Sequence, residues 1–398
     1  MRRYVVVGGG LAGLTAANAL AGDGRKVILL EQSARLGGRA ITKQEHGYFL
    51  NLGPHALHER GPAAQTLRRW GIPFKGKPPD TSAASFLVRD RQMYPLVYTS
   101  RGLLTTRLLR AGEKLQAALI LKQVVSGHAS EGESIQEWID RRARSQRVRQ
   151  FLTMLMRTAT FSADLSLVSA RAALAQFRSA TSPGVLYLDE GWQTLVAGLE
   201  QRARRLGVEI RLGEPVESLR SIEGDGIVLA VPPESVERIT GRSLPAMNPV
   251  RLACLDLGLH ILPRGAARIA LGLDRPLYLS VHSVSARLAP EGSALAHLVK
   301  YLDGASDADA DRRELEEFAD STIPGWRRQA EVVRFLPHMT VTAAAFAAQG
   351  RPAVDELKIP GVALAGDWVG AEAMLSDAAV ASALRAIEMI ERQELRAA

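Results

Sequence analysis

Between the β-branched run Tyr4 to Val7 and the alanine-rich stretch after it, the chain reads Gly8-Gly9-Gly10-Leu11-Ala12-Gly13. No other segment limits the fold as much. Glycines 8, 10 and 13 match GxGxxG, Leu14, Ala17, Asn18 and Leu20 follow at helical spacing, and a second β-rich run, Val27 to Leu30, closes on Glu31. Strand, glycine turn, helix and strand within about thirty residues make the unit that binds a dinucleotide. Gly8 permits the tight turn, Gly10 lets the backbone approach a pyrophosphate, and Gly13 lets the helix pack close to the strands. Leu11 and Ala12 open a helix whose free N–H groups face the phosphates. Glu31, with Gln32 beside it, stands where a carboxylate accepts from the ribose hydroxyls and repels a 2′-phosphate, which disfavours NADP. The uncharged stretch from Tyr4 to Gly22, preceded by Arg2 and Arg3, has the outline of a secretory signal, but the glycine turn inside it argues against one.

A length of 398 residues suggests two or three domains, and 46% hydrophobic with 23% charged residues is the balance of a folded globular chain. The single Cys254 excludes an intramolecular disulfide or a multi-cysteine metal site and fits a reducing compartment, so a cytoplasmic location is expected. No metal is expected either: His55 and His58 stand three apart without further ligands nearby, and there is no HExxH. The formal charge of +8 favours an anionic partner. Nucleic acid is not expected, because aromatics are only 5% and the basic residues are mostly interleaved with acidic ones.

After Glu31 come Arg35-Leu36-Gly37-Gly38-Arg39-Ala40 and Asn51-Leu52-Gly53-Pro54-His55, and near the far end Gly361 to Leu364 leads through Ala365 into Gly366-Asp367, then a helix beginning near Ser376-Asp377-Ala378-Ala379. In these blocks the chain resembles the FAD-dependent superfamily of flavin amine oxidases, phytoene desaturases and protoporphyrinogen oxidases, and in Leu255-Asp256-Leu257-Gly258-Leu259 and Leu273-Asp274-Arg275-Pro276-Leu277-Tyr278 it looks more like phytoene-dehydrogenase-like proteins. The resemblance implies non-covalent FAD, with Gly38 and Arg39 reaching its flavin side, the turn Gly53, Pro54 and His55 beside them, Asp367 after Gly366 on the ribitol, and the helix start at Ala378 and Ala379 under the ring. It also places Val216, after Gly207 to Arg211, at the adenine. The family usually has glycine where this chain has Ala378 and Ala383, which would put a methyl at each point between helix and flavin. The implied fold class is α/β: a Rossmann-like FAD-binding domain of the amine-oxidase type (1–80, 187–245 and 355–398) and a discontinuous substrate domain of mixed sheet plus helices (81–186 and 246–354).

No second GxGxxG follows a strand, so a built-in NAD(P)H domain is not expected. Within the middle segments, Ser134-Ile135-Gln136-Glu137 reads as a capping box, and the cluster Arg141, Arg142, Arg144, Arg147 and Arg149 as a solvated helix end, with an anionic contact as the alternative. Leu104, Leu108, Leu115 and Leu119 recur at helical spacing and are read as core; the alternative is a face lying on an anionic membrane. Lys300 reads as a solvent-facing strand lysine. The aromatic stretch that amine oxidases of this family commonly carry before the Gly-Asp block is replaced by Phe335-Leu336-Pro337-His338-Met339. The expected function is therefore C–C dehydrogenation of a small hydrophobic substrate by hydride transfer to flavin N5, with oxygen or a quinone as acceptor and His55 as the candidate catalytic side chain. An amine oxidase and a non-catalytic lipid- or prenyl-binding protein on the same fold are the alternatives. Oligomeric state is not legible.

Overall fold

In the computed structural model, which describes residues 2–397 apart from 82–83, 98, 182–183, 305 and 348–349, the run Arg3–Val7 lies at the centre of a five-stranded parallel sheet. Lys26–Glu31 and then Glu209–Leu212 flank it on one side, Gly226–Leu229 and then Val362–Leu364 on the other. The central strands are apolar at consecutive positions because both faces are covered. The helices Leu11–Gly22, Gln193–Arg205 and Leu375–Ala397 share one core with Tyr4, Val6, Leu29 and Val228, while Val5, Val7, Ile227 and Leu229 pack on the other face against Val236, Leu357 and Trp368.

A second sheet has seven strands in the order Ala330–Thr342, Val250–Leu259, Ala294–Leu302, Leu277–Val281, Ile269–Gly272, Ser85–Arg89 and Gln92–Pro95. It is antiparallel except where Ile269–Gly272 meets Ser85–Arg89. Alternation divides its residues cleanly. Ala253, Leu255, Leu257, Leu277, Leu279, Val281, Ala296 and Leu298 face the helix Ala308–Thr322. The intervening positions, among them Cys254, Asp256, Tyr278, Ser280, His297 and Tyr301, face the other way.

A third apolar core gathers the helices Ala111–Ser126, Ile135–Arg142, Gln146–Thr160 and Ala170–Thr181 around Trp138, Leu152 and Leu174. The capping box forms as read: Ser134 Oγ accepts from the Glu137 amide at 3.2 Å, and the Glu137 carboxylate accepts from the Ser134 amide at 2.9 Å. Arg141 and Arg142 pair with Glu133, Arg142 also lies 4.3 Å over the Trp138 ring, and Arg149 meets Asp140 at 2.7 Å. The leucine stripe departs from the core reading. Leu108 is buried, but Leu104, Leu115 and Leu119 are 71%, 65% and 57% exposed. Periodicity groups residues on a face without saying that the face is covered. Lys300 also departs, being half-buried and paired with Asp311 at 2.7 Å and Glu314 at 2.6 Å.

On the inner face of the second sheet, Asp256 is fully buried and accepts from His297 Nδ1 at 2.6 Å and from Arg334 Nε at 2.8 Å. Burial alone would raise this carboxyl, but His297 and Arg334 outweigh it and hold it below its usual range. Replacing Arg334 by leucine strands that charge in the core. The Arg334→Leu variant is expected to lose on the order of 3–5 kcal/mol of stability, read as a lower urea midpoint at pH 7.5, and an unchanged midpoint would refute this account of the cluster.

Candidate functional site

The cofactor side of the site begins at the glycine turn. Gly8 has φ +102°, and a Cβ there would run into the carbonyl of Ala230; a Cβ on Gly13 would overlap the Gly8 carbonyl, whereas one on Gly10 would meet open space. The first two glycines close the turn and the third faces a cavity. Glu31 does more than wait at the strand end. Its carboxylate accepts from the Gly9 amide at 2.6 Å and from the Ser33 amide at 2.8 Å, so it holds the turn shut. Gly37 donates to the Gly9 carbonyl at 2.8 Å, which lays the Gly37-Gly38-Arg39 loop against the turn.

Arg39 meets Asp367 with two parallel bonds, Nη1 to Oδ2 at 2.8 Å and Nη2 to Oδ1 at 2.6 Å, and its Nη1 also donates to the Val341 carbonyl at 2.9 Å. Burial works against the guanidinium charge, and Asp367 more than restores it. The two residues that the resemblance assigns to separate parts of FAD are thus partners of each other. Arg351, which the sequence reading passed over, fastens the loop after Asp367. It donates to the carbonyls of Asp367, Gly370, Glu372 and Ala373 and stacks 4.5 Å from Phe346. Burial lowers it to about 10, so it stays charged at neutral pH.

A single cavity of about 1920 Å³ runs from this turn to the inner face of the second sheet. Gly8, Gly10, Leu11, Ala12, Glu31, Gln32, Gly38, Arg39, Pro54, His55, Val216, Gly366, Asp367 and Ala379 line it. Gly13, Gly53 and Ala378 stand behind the wall instead. Gly13 packs helix on strand, Gly53 (φ +74°) abuts Met339, and Ala378 is fully buried, as is Ala383. The methyls of Ala378 and Ala383 therefore do not project into the cavity; at the start of the helix Leu375–Ala397 it is Leu375, Ser376 and Ala379 that line it. Asp377, in that first turn, accepts from the Ala63 amide at 2.9 Å and from His58 Nδ1 at 2.8 Å. His58 is thus the partner of a carboxylate.

His55 lies on the wall, edge-on to Trp192 with ring centroids 4.9 Å apart. Its Nδ1 is 3.2 Å from the Gly53 carbonyl and its Nε2 3.2 Å from the Arg39 carbonyl. Burial lowers its imidazole to about 4, so the ring is neutral at pH 7 and only one of those contacts carries a proton. With both nitrogens facing backbone carbonyls, His55 positions the Gly53-Pro54 turn against the Arg39 loop. The wall beyond it is built from residues the sequence reading missed: Trp192, Tyr187, Tyr278, His282 and Tyr301. Only Tyr278 and Tyr301 stand on second-sheet strands; Tyr187 is on Val185–Leu188, and Trp192 and His282 lie in the turns after strands, where no periodicity marks them.

The open face at Gly10, the acid at Glu31, the Arg39 and Asp367 pair and the helix start at Ser376 fit a dinucleotide carrying a flavin. Substituting Glu31→Ala or Asp367→Ala should weaken FAD binding about ten- to a hundredfold, the size of a lost charged hydrogen bond, measured by FAD titration of deflavinated protein; unchanged affinity in both would contradict the placement. The lowered pKa of His55 also fixes a sign. The unfolded chain takes up that proton near pH 6.5 and the folded chain only near 4, so the stabilisation is present above 6.5 and fades as pH falls towards 4. His55→Phe should flatten the fall in urea midpoint between pH 7 and 4.5, and a slope equal to that of the wild type would count against it.

The model of the flavin-containing amine oxidoreductase family matches residues 11–243. A curated L-amino-acid oxidase from Naja atra is 47% identical over 74 residues, which is 18% of this chain and 15% of that protein, so the match spans only a small part of the relative's length. Among solved structures, an oxidoreductase from Methanosarcina mazei superposes with a TM-score of 0.79 at 17% identity, covering 97% of this chain and 100% of that one. Cyclohexylamine oxidase from Brevibacterium oxydans does so with a TM-score of 0.66 at 18% identity, covering 99% of each. At these identities the superpositions speak for the fold. With more than half of its length matched by the family model, the chain belongs to the flavin-containing amine oxidoreductases, a family of FAD-dependent oxidoreductase enzymes.

Proposed function

We propose that this protein is an FAD-dependent dehydrogenase that removes two hydrogens across a C–C bond of a small hydrophobic substrate, one as hydride to flavin N5 and one as a proton to water, with the two electrons passing on to oxygen or a quinone. FAD, held by the glycine turn, Glu31, Arg39, Val216 and Asp367, would supply the hydride acceptor. The observation that carries the reading is the division of charge in the cavity. Its described carboxylates, Glu31, Glu214, Glu234, Glu237 and Asp367, lie in segments around the parallel sheet, and none comes from the strands of the second sheet. There the wall is mainly Leu252, Ile269, Leu271, Tyr278, Tyr301 and Met339, which bind by apolar burial, and its one charged member, Arg251, is a cation. An ammonium would enter without a counter-charge.

The family's name and its amine-oxidising members favour C–N oxidation as the second reading. Anaerobic mixing separates the two. Purified yellow protein should be bleached by an apolar alkane- or alkene-type compound and not by primary or secondary amines; bleaching by amines, with peroxide release in air, would establish the second reading instead.

The exposed leucines suggest how such a substrate arrives. Leu104, Leu115 and Val125 line the cavity and are 71%, 65% and 68% exposed. Around them lie Arg101, Arg107, Arg110, Lys114 and Lys122, against the single acid Glu113, which is bound to the Arg110 amide and Ser145. We read this rim as a contact with anionic lipid through which an apolar molecule enters. No described helix is long and apolar enough to cross a membrane. Co-sedimentation with phosphatidylglycerol-containing vesicles should exceed that with phosphatidylcholine alone and should fall at least fivefold in a Leu115→Ser, Leu119→Ser double variant; equal sedimentation with both vesicle types would remove the lipid contact from the reading.

A further inference from the structure

The helix Ala170–Thr181 contributes Gln176, Phe177, Ala180 and Thr181 to the cavity wall. Gln176 is 6% exposed, and what holds it lies behind that wall. Its Nε2 is 3.3 Å from His58 Nε2, and His58 Nδ1 is 2.8 Å from Asp377 Oδ2. The other carboxylate oxygen of Asp377 accepts from the Ala63 amide at 2.9 Å. The strand Leu57–His58 and the first turns of the helices Pro62–Arg69 and Leu375–Ala397 thus meet along one buried chain of polar groups. A Cβ on Gly61 would collide with the Asp377 carboxylate, so the glycine makes room for it.

This chain has a direction. A carboxylate only accepts, so His58 Nδ1 carries the proton, and Nε2 of the neutral ring is left as an acceptor. Gln176 must then give an N–H to His58, which fixes its amide with the nitrogen towards His58 and the oxygen away from it. That oxygen, Oε1, has no hydrogen-bond partner among the described residues, and it is not one of the unpartnered polar atoms sealed from solvent. With Gln176 on the cavity wall, the free oxygen faces the cavity.

The hydroxyls close by are committed to their own helices, that of Thr181 to the Phe177 carbonyl at 2.8 Å and that of Thr158 to the Met154 carbonyl at 2.9 Å. The amide oxygen of Gln176 is thus an acceptor whose orientation is settled when the protein folds, the arrangement of a preorganised binding group. It discriminates by the presence of a hydrogen. An O–H group donates to it, whereas a ketone oxygen meets it lone pair to lone pair and leaves both unsatisfied.

We propose that Gln176, oriented by His58 and Asp377, is a specificity-determining residue whose side-chain oxygen accepts a hydrogen bond from a hydroxyl on an otherwise apolar substrate. The proposal rests on reading the cavity as the substrate chamber of a flavin enzyme, and it makes the substrate a hydrocarbon bearing a hydroxyl rather than a ketone. Calorimetric titration of the FAD-loaded protein with 1-octanol and 2-octanone at pH 8.0 reads binding without turnover. The wild type should bind 1-octanol about three- to tenfold more tightly, the size of one neutral hydrogen bond. Gln176→Met, which keeps the length of the side chain without its amide, should bring the two Kd values to within about twofold.

Asp377→Asn tests the direction of the chain. With the new amide's oxygen kept on the Ala63 N–H, its nitrogen donates to His58 Nδ1, His58 Nε2 becomes the donor, and Gln176 turns its NH2 to the cavity. This variant should bind 2-octanone about three- to tenfold more tightly than the wild type does, whereas a merely structural role for Asp377 would weaken both ligands together and count against the proposal. A wild type that does not separate the two ligands, or that binds octylammonium more tightly than 1-octanol, would overturn it, as would a folded Gln176→Met that keeps the preference. The wild-type comparison stands by itself if a variant fails to fold. FAD content of the same preparations keeps the two readings apart: colourless protein that FAD cannot reconstitute sinks the flavin reading, whereas yellow protein indifferent to Gln176 sinks only the specificity role.

Discussion

The double bond between Arg39 and Asp367 joins residues 328 apart in the chain, and much of the candidate site is arranged around it. Arg39 rides on the loop that leans on the glycine turn, Asp367 lies in the loop just past the last strand of the parallel sheet, and the Val341 carbonyl brings in the second sheet. Asp367 is almost fully buried, so its charge is tolerable only while a matched cation stays in place. Arg351 then ties the loop after Asp367 by backbone carbonyls alone. Two guanidiniums thus set the geometry that a helix or strand could not, since the segment between Gly366 and Ala373 has no ladder of its own.

The cavity has two chemical regimes. Near the glycine turn the wall carries full charges and open backbone amides, suited to a phosphorylated cofactor. Near the second sheet it carries hydrocarbon, hydroxyl and imidazole groups and, among full charges, only the cation Arg251. The boundary falls at His55 and Trp192, two aromatic rings in edge contact. A molecule reaching that boundary from the apolar side has already left its water behind.

How much of this was legible in the sequence depends on distance along the chain. The glycine turn, Glu31 and the Ser134 capping box are specified by residues within a few turns of one another, and they form as the spacing implies. His58 and Asp377 are each unremarkable in sequence, and only the fold brings them to 2.8 Å across a separation of 319 residues. The pairing of Arg39 with Asp367 was likewise hidden, although both residues were singled out separately. The polar positions of the second sheet were visible as alternation in Leu277 to Val281 and in Ala294 to Leu302. Alternation alone could not reveal them as a chamber wall, because a strand face turned to a cavity and one turned to bulk water share a pattern. The leucine stripe shows the converse: its spacing runs across two helices, and while Leu108 between them is buried, Leu104, Leu115 and Leu119 are left uncovered.

The strand order of the parallel sheet has a consequence for the making of the protein. Arg3–Val7 pairs on one side with Gly226–Leu229, which in turn pairs with Val362–Leu364. A nascent chain presents the glycine turn long before the wall opposite it, which comes from Val362–Leu364 and the loop carrying Asp367. Until then the inner strands keep an unpaired edge and an uncovered apolar face, a state open to premature association. The cofactor side of the site is therefore complete only once Val362–Leu364 has paired and Asp367 has met Arg39, however early the glycine turn is made.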